Sequence, residues 1–177
     1  MIKLSKLYKE MLQEKESKYR IYCDMDGVLC DFDTRFKTLN PEHLSPGEYE
    51  TKYGKEKFWD FIDVETGVKF WVGIPWMKDG KELWDFIKKY DPTLLSAPSK
   101  RSVSRLGKRL WVKNNIPGTK LILVYAENKK NYAKGPNDIL IDDRADNIMS
   151  WESKGGTGIF HKDAASTIEA LKKLGLE

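Results

Sequence analysis

Asp24 and Asp26 stand one residue apart at the end of a short β-prone run, Arg20 to Cys23, and Gly27 follows them. On a continuing strand residues i and i+2 share a face, so both carboxylates point to one side. Gly27 lets the chain turn away at positive φ. In an open α/β sheet, ligands bind in the crevice outside the carboxyl ends of the strands, which is where these acids would lie. Two acids alone repel phosphate. With Mg²⁺, a hard ion that takes one or two carboxylates together with substrate phosphate oxygens, the same pair can hold it. A second hydrophobic run, Asp138 to Ile141, ends in Asp142-Asp143-Arg144. Two strands of buried type, each ending in an acidic pair, are much less expected by chance than either alone.

The elements that position these acids alternate along the chain. Residues 1–19 place Leu4, Leu7, Tyr8, Met11 and Leu12 at helical spacing, which predicts a helix packed on the flank of the domain. After the first strand, residues 31–75 contain no clear buried strand. A helical pattern starts at Asp31-Phe32 and is punctuated by Pro41, Pro46 and Gly47. The same segment is dense in aromatics: Phe58, Trp59, Phe61, Phe70 and Trp71. Their expected role is core packing, with stacking on a planar ligand as the sharper alternative. Residues 80–90 read as a helix with Leu83, Trp84, Phe86 and Ile87 inward, and Thr93 to Ser96 as the second strand. Ser96 can donate its hydroxyl, and the backbone N–H after it, to a phosphoryl oxygen.

Residues 100–114 predict a basic helix with Val103, Leu106 and Leu110 inward and Arg101, Arg105 and Lys108 outward. That outer stripe reads as a solvated face, with a nucleic-acid or phosphate-steering surface as the less favoured alternative. Leu121 to Tyr125 is the third strand and Asp138 to Ile141 the fourth. Residues 145–152 turn helical, with Ile148, Met149 and Trp151 apolar. Gly155-Gly156-Thr157-Gly158 reads as a turn leading to Ile159-Phe160-His161, because P-loop and dinucleotide-binding spacings are both missing. A last helix covers 163–175. Strand and helix alternating in this way predict an α/β fold: a Rossmann-like three-layer parallel sheet with right-handed crossovers.

With 177 residues, 40% hydrophobic content and six Trp, the chain suits one domain with a proper core. A net charge of +4 fits an enzyme for anionic substrates without demanding nucleic acid. Cys23 and Cys30 have no metal-type Cys/His company and read as packing residues, not a disulfide. No run of 18 apolar residues predicts a membrane span. The acidic N-terminal segment lacks a signal core, so a cytoplasmic location is expected. The residues specify no oligomeric state.

Asp24-Met25-Asp26-Gly27-Val28 resembles the first motif of the haloacid dehalogenase (HAD) phosphohydrolase superfamily, and Ile141-Asp142-Asp143-Arg144 its fourth. Together with Asp31-Phe32 and Ser96-Ala97-Pro98 they are most similar to the 5'(3')-deoxyribonucleotidase family, over roughly Arg20 to the C-terminus. The resemblance implies a HAD core at 20–30 and 76–177 with a small helical cap inserted at 31–75. It implies Asp24 as nucleophile, Asp26 as general acid and base, and Mg²⁺ held by Asp24, the Asp26 backbone carbonyl, Asp142 and Asp143. Ser96 and Ala97 match the second motif, often Thr-Ser-Pro in the family; Ala97 brings no hydroxyl to that position. A third-motif lysine is required, and Lys129 or Lys130 is favoured, with Lys134 open. Phe32 matches the base-pocket phenylalanine; Phe58 or Trp59 resembles the second aromatic wall. Arg144 matches a family arginine that pairs with a cap acid or contacts substrate. The implied substrate is a small nucleotide, a deoxyribonucleoside monophosphate. Phosphatases of sugar phosphates or nucleic-acid 3' ends, and a non-catalytic binding module, are the rival readings.

Overall fold

β4 (Asp138–Asp142) is buried along its whole length, and it is hydrogen-bonded on both sides. Parallel strands covered on both faces read as continuous hydrophobic runs, and Ile139-Leu140-Ile141 is such a run. In this computed structural model, which describes residues 18–177, β4 lies beside β1 (Arg20–Cys23) with Cys23 opposite Ile141. β2 (Thr93–Ser96) pairs with the other side of β1, and β3 (Leu121–Leu123) with β2. β5 (Thr157–Phe160) closes the far edge against β4. All pairings are parallel and the order is β3-β2-β1-β4-β5. The architecture is α/β and Rossmann-like, as the alternation predicted. The helix expected over 1–19 falls almost wholly outside the described residues.

The chain runs β1, β2, β3 toward one edge, then crosses back and continues β4, β5 toward the other. β1 and β4 therefore flank the point where the winding reverses, and the loops leaving their carboxyl ends diverge to open a crevice. Asp24 and Asp26 follow β1, and Asp142 ends β4.

Between β1 and β2 the chain is helical. α1 (Phe32–Leu39) starts at Asp31, whose carboxylate accepts from the Thr34 N–H at 2.9 Å. α2 (Pro46–Tyr53) has a Ser45/Glu48 capping box with Pro46 in its first turn. α3 (Lys55–Asp60) runs into a π-helical stretch, Phe61–Thr66, and α4 (Val68–Val72) follows. The aromatics of this segment make its core: Phe36 is fully buried against Tyr49, Phe58 and Phe61. The segment leaves and rejoins the sheet through two paired lengths of chain. Asp31 N–H donates to Pro75 O, and Met77 N–H to Leu29 O, each at 2.8 Å.

The remaining helices cover the sheet: α5 (Gly80–Ile87), α6 (Ser102–Asn115), α7 (Ala145–Glu152) and α8 (Ala164–Lys173). No helix among the described residues is long and apolar enough to cross a membrane. Three boundaries differ from the sequence reading. The third strand stops at Leu123, because Val124 and Tyr125 lead into a 3-10 segment, Ala126–Tyr132. Gly155 and Gly156 form the expected turn, but Thr157 and Gly158 already open a fifth strand, β5. At α6 the inward face is not Val103, Leu106 and Leu110: Leu106 is half exposed, and the buried set is Ser104, Gly107, Lys108, Trp111 and Val112. A lysine and a glycine hold positions where the sequence reading looked for aliphatics. Gly107 is there for closeness, since a Cβ on it would stand 2.2 Å from the Trp71 Cβ of α4.

Candidate active site

The side chains with catalytic chemistry converge at the carboxyl ends of β1, β2 and β4. Asp24 continues the line of β1, with its N–H donating to Ile141 O. One carboxylate oxygen accepts from the Met25 N–H at 2.8 Å. The other lies 2.9 Å from Lys129 Nζ. Lys129 is buried in the 3-10 segment after β3, and the same ammonium is 2.7 Å from Asp142. Burial works against its charge, and the carboxylates of Asp24 and Asp142 more than offset this, so its pKa is raised. Of the three candidate lysines, Lys129 is the one at the acids. Lys130 neither lines the cavity nor pairs with an acid, and Lys134 is exposed.

Asp142 has a second hold that sequence reasoning missed. Asn147, in the first turn of α7, donates to both of its carboxylate oxygens at 3.0 Å, and the Arg144 N–H donates at 3.0 Å. Asp143 lies beside the chain turn at Gly27, where φ is 77°. A Cβ on Gly27 would be 2.2 Å from an Asp143 carboxylate oxygen, so only glycine lets that acid approach. Burial, then the charges of Asp24 and Asp142, push the Asp143 carboxyl up to about 7.

Asp24, Asp142 and Asp143 can each present a ligand atom such that all lie within 4.8 Å of one another. Three carboxylates against the single charge of Lys129 leave an excess of negative charge. That excess and the all-oxygen donor set fit a hard divalent cation such as Mg²⁺.

Asp26 faces a different partner. Its carboxylate meets Lys108 Nζ at 2.5 Å, and that ammonium also donates to Ser96 Oγ at 3.0 Å. The other carboxylate oxygen of Asp26 is buried with no hydrogen-bond partner. Burial raises the Asp26 carboxyl above the ordinary range, and Lys108 pulls it back. Lys108 is 1% exposed and lies 5.1 Å from the centre of the Trp71 ring. The sequence reading had placed it on the solvated stripe. It is instead a site lysine, linking the second acid of the Asp24-x-Asp26 pair to the serine that ends β2. A helical pattern of Ser104, Gly107, Lys108 and Trp111, spaced i, i+3, i+4, i+7, was the available signal.

Most of these groups border a cavity of about 540 Å³, with Asp142 and Lys108 buried behind its lining. Its floor carries Asp24, Asp26, Ser96, Lys129 and Asp143, and Ala97 borders it beside Pro98 and Ser99. Phe32, Trp59 and Trp71 contribute apolar lining from the helical segment. Phe58 does not reach it: the ring is buried between Phe36 and Trp59. Arg144 borders the cavity but pairs with Asp146 of its own helix at 2.9 Å, not with an acid of residues 31–75. Cys23 and Cys30 are both buried and free.

No protein-family model matches the sequence, and no curated protein matches it significantly. Solved structures do match the fold. A HAD-superfamily hydrolase from Ehrlichia chaffeensis superposes with a TM-score of 0.51 at 13% identity, covering 90% of this chain and 98% of that one. The chain shares the HAD hydrolase fold. A hydrolase from Streptococcus pneumoniae TIGR4 gives a TM-score of 0.56 at 12% identity, over 88% of this chain and all of the other. At these identities the likeness is one of fold.

Proposed function

We propose that the protein is a Mg²⁺-dependent phosphomonoesterase that hydrolyses deoxyribonucleoside monophosphates. One observation carries the reading. A carboxylate steadied by a buried lysine, Asp24, shares a cavity with a second acid of raised pKa, Asp26, a convergent acid cluster and an aromatic wall.

Asp24 attacks phosphorus, forming a P–O bond as the bond to the ester oxygen breaks. Asp26 donates its proton to that departing oxygen, a role suited to a carboxyl whose pKa burial has raised. Water then attacks the aspartyl-phosphate and gives its proton to Asp26. The bond to the Asp24 oxygen breaks, and inorganic phosphate leaves. Splitting the displacement in two is the usual advantage of a covalent intermediate. Mg²⁺, held by Asp24, Asp142 and Asp143, would neutralise charge on the phosphoryl oxygens. Lys129 and Ser96 line the cavity and would bind and orient that group, with Lys108 holding Ser96 and Asp26 from behind. Residues 31–75 act as a cap, with Phe32 and Trp59 taking the planar base; their edges and faces border the same cavity as the acids.

The test is phosphate release with Mg²⁺ over deoxy- and ribonucleoside monophosphates and sugar phosphates, with Asp24→Asn alongside. Deoxynucleotide turnover that disappears in the variant is expected. Turnover of sugar phosphates alone would remove the nucleotide assignment, and activity persisting in Asp24→Asn would remove the nucleophile.

A further inference from the structure

Charge is distributed very unevenly along this chain. Between Pro92 and Ala126 there is no Asp or Glu, and there are seven Lys or Arg, whereas the whole protein carries only +4. The stretch comprises β2, α6 and β3, so it is one contiguous side of the domain. One of the seven, Lys108, is turned into the active site, but the others remain outside.

On α6 they form a row. Arg101, Arg105, Arg109 and Lys113 recur every fourth residue along the helix. Successive members are about 6 Å apart along the axis and drift about 40° around it. That spacing is close to the separation of neighbouring phosphates on an extended nucleic-acid strand. The row begins at the cavity. Ser99 lines it, and Arg101 pairs with Asp60, the neighbour of the cavity-lining Trp59. Arg105 is fixed by a bond to Leu123 O at 3.2 Å, with its guanidinium 5.6 Å from the centre of the Tyr125 ring. Tyr125 is 40% exposed and Leu106 50%, so apolar faces interleave with the cations. Arg109, Lys113 and Lys100 are exposed and pair with no acid among the described residues.

A cationic track with a stacking ring beside it is the arrangement by which proteins hold single strands without reading sequence. We propose that this side of the protein binds single-stranded DNA along α6 and directs its terminal phosphate into the cavity. The phosphorylated end of an oligonucleotide is then the better substrate of the same site, with the free mononucleotide a lesser one. The fate of that phosphate rests on the phosphatase reading; the binding does not.

Binding is measured by fluorescence anisotropy with a labelled oligothymidylate of about twelve nucleotides, long enough to follow the helix. EDTA is present to prevent turnover. Arg105→Glu/Arg109→Glu/Lys113→Glu is the test variant. Arg109→Glu/Lys113→Glu serves as a second that leaves the Arg105 bond intact. Expected are a loss of about tenfold or more in the variants at low salt, and for wild type a log K against log[salt] slope of roughly −2 to −3, as three or four strand contacts require. With Mg²⁺, wild type should release phosphate from the 3'-phosphorylated strand more efficiently than from dTMP, and the variants should lose that preference while dTMP turnover is unchanged. Equal affinity of wild type and both variants for the strand would overturn the proposal, as would equally tight, equally variant-sensitive binding of duplex. If variants lose strand binding while no substrate releases phosphate, the track stands and the phosphatase reading falls. If dTMP is hydrolysed and the variants bind the strand like wild type, only the track falls.

Discussion

Replacing Lys108 by Met removes one positive charge from a position where it has two partners and is 1% exposed. Its ammonium bonds to Asp26 and Ser96, and it lies over the Trp71 ring. Met restores most of the volume, so the loss is chiefly electrostatic. Asp26 would then keep a carboxylate with neither oxygen paired, since one has no partner already. Breaking a buried ion pair from one side costs about 3–5 kcal/mol, and the partial exposure of the Asp26 side chain puts this case at the lower end, roughly 3 kcal/mol. The cost depends on pH in a definite direction. Folding raises the Asp26 carboxyl, so its ionisation opposes folding as pH increases, and Lys108 relieves that opposition. Without Lys108 the opposition grows. The stability gap between wild type and Lys108→Met should therefore be widest near neutrality and narrow as Asp26 becomes protonated on acidification. Urea titrations at pH 7 and near pH 4.5 measure it. Turnover should fall about a hundredfold, the scale of a misplaced general acid, with the pH–rate profile displaced toward higher pH. A Lys108→Met protein with wild-type kcat and a pH-independent stability loss would refute the assignment, leaving Lys108 a packing residue.

Three further outcomes follow from the same geometry. Mg²⁺ at a hundred times its dissociation constant should stabilise the protein by about 2.7 kcal/mol and raise its Tm by roughly 5–10 °C, an effect abolished in Asp143→Asn; differential scanning fluorimetry reads it without any substrate. Gly27→Ala combines a positive φ with a Cβ 2.2 Å from Asp143, so it should cost at least about 2 kcal/mol and weaken that Mg²⁺-induced shift even where the protein folds. His161 is buried against Thr167, and burial lowers its pKa, with Asp79 and Asp163 opposing. The unfolded chain therefore takes up this proton first, so stability is full above about pH 6.5 and declines as pH falls below it; His161→Gln should flatten that part of the stability profile.

The strand-and-acid pattern was legible because it is local. Hydrophobic runs ending in Asp24-Met25-Asp26 and Asp142-Asp143 carry their meaning within a few residues, and β1, β2 and β4 begin where that pattern placed them. β5 was hidden by its glycines: Gly158 packs so closely on Ile148 that a Cβ would come within 2.6 Å, a tertiary reason that no local pattern carries. Lys108 was misread for a related cause. Hydrophobicity alone assigned Leu106 inward and the lysine outward, yet the inner face of α6 must admit Trp71 at Gly107 and reach Asp26 one residue later. The choice among Lys129, Lys130 and Lys134 depended on a 3-10 turn after β3, whose phase cannot be read from a run of polar residues. Phe58 and Trp59 are adjacent, so helical geometry sends them in different directions: one into the core of the helical segment, the other to the cavity.

α6 is the element through which these parts are coupled. Gly107 lets the helix approach α4 of the inserted segment until Trp71 rests against it. The next residue, Lys108, passes beneath that ring to Asp26 and Ser96. Trp71 is in turn fixed by Asp63, which accepts its indole N–H at 3.1 Å from inside the π-helical stretch. That stretch carries one more residue per turn than an α-helix, and such insertions concentrate at functional sites because they redirect side chains without ending the helix. The chain of contacts runs from buried Asp63 through buried Trp71 and Lys108 to the partly exposed Asp26. Any displacement of the inserted segment that moves Trp71 must therefore either carry Lys108 with it or expose the ammonium. Asp26 and the Trp71 wall of the cavity are thus held together through Lys108, and in the proposed reaction this would tie protonation of the leaving group to the position of the segment covering it.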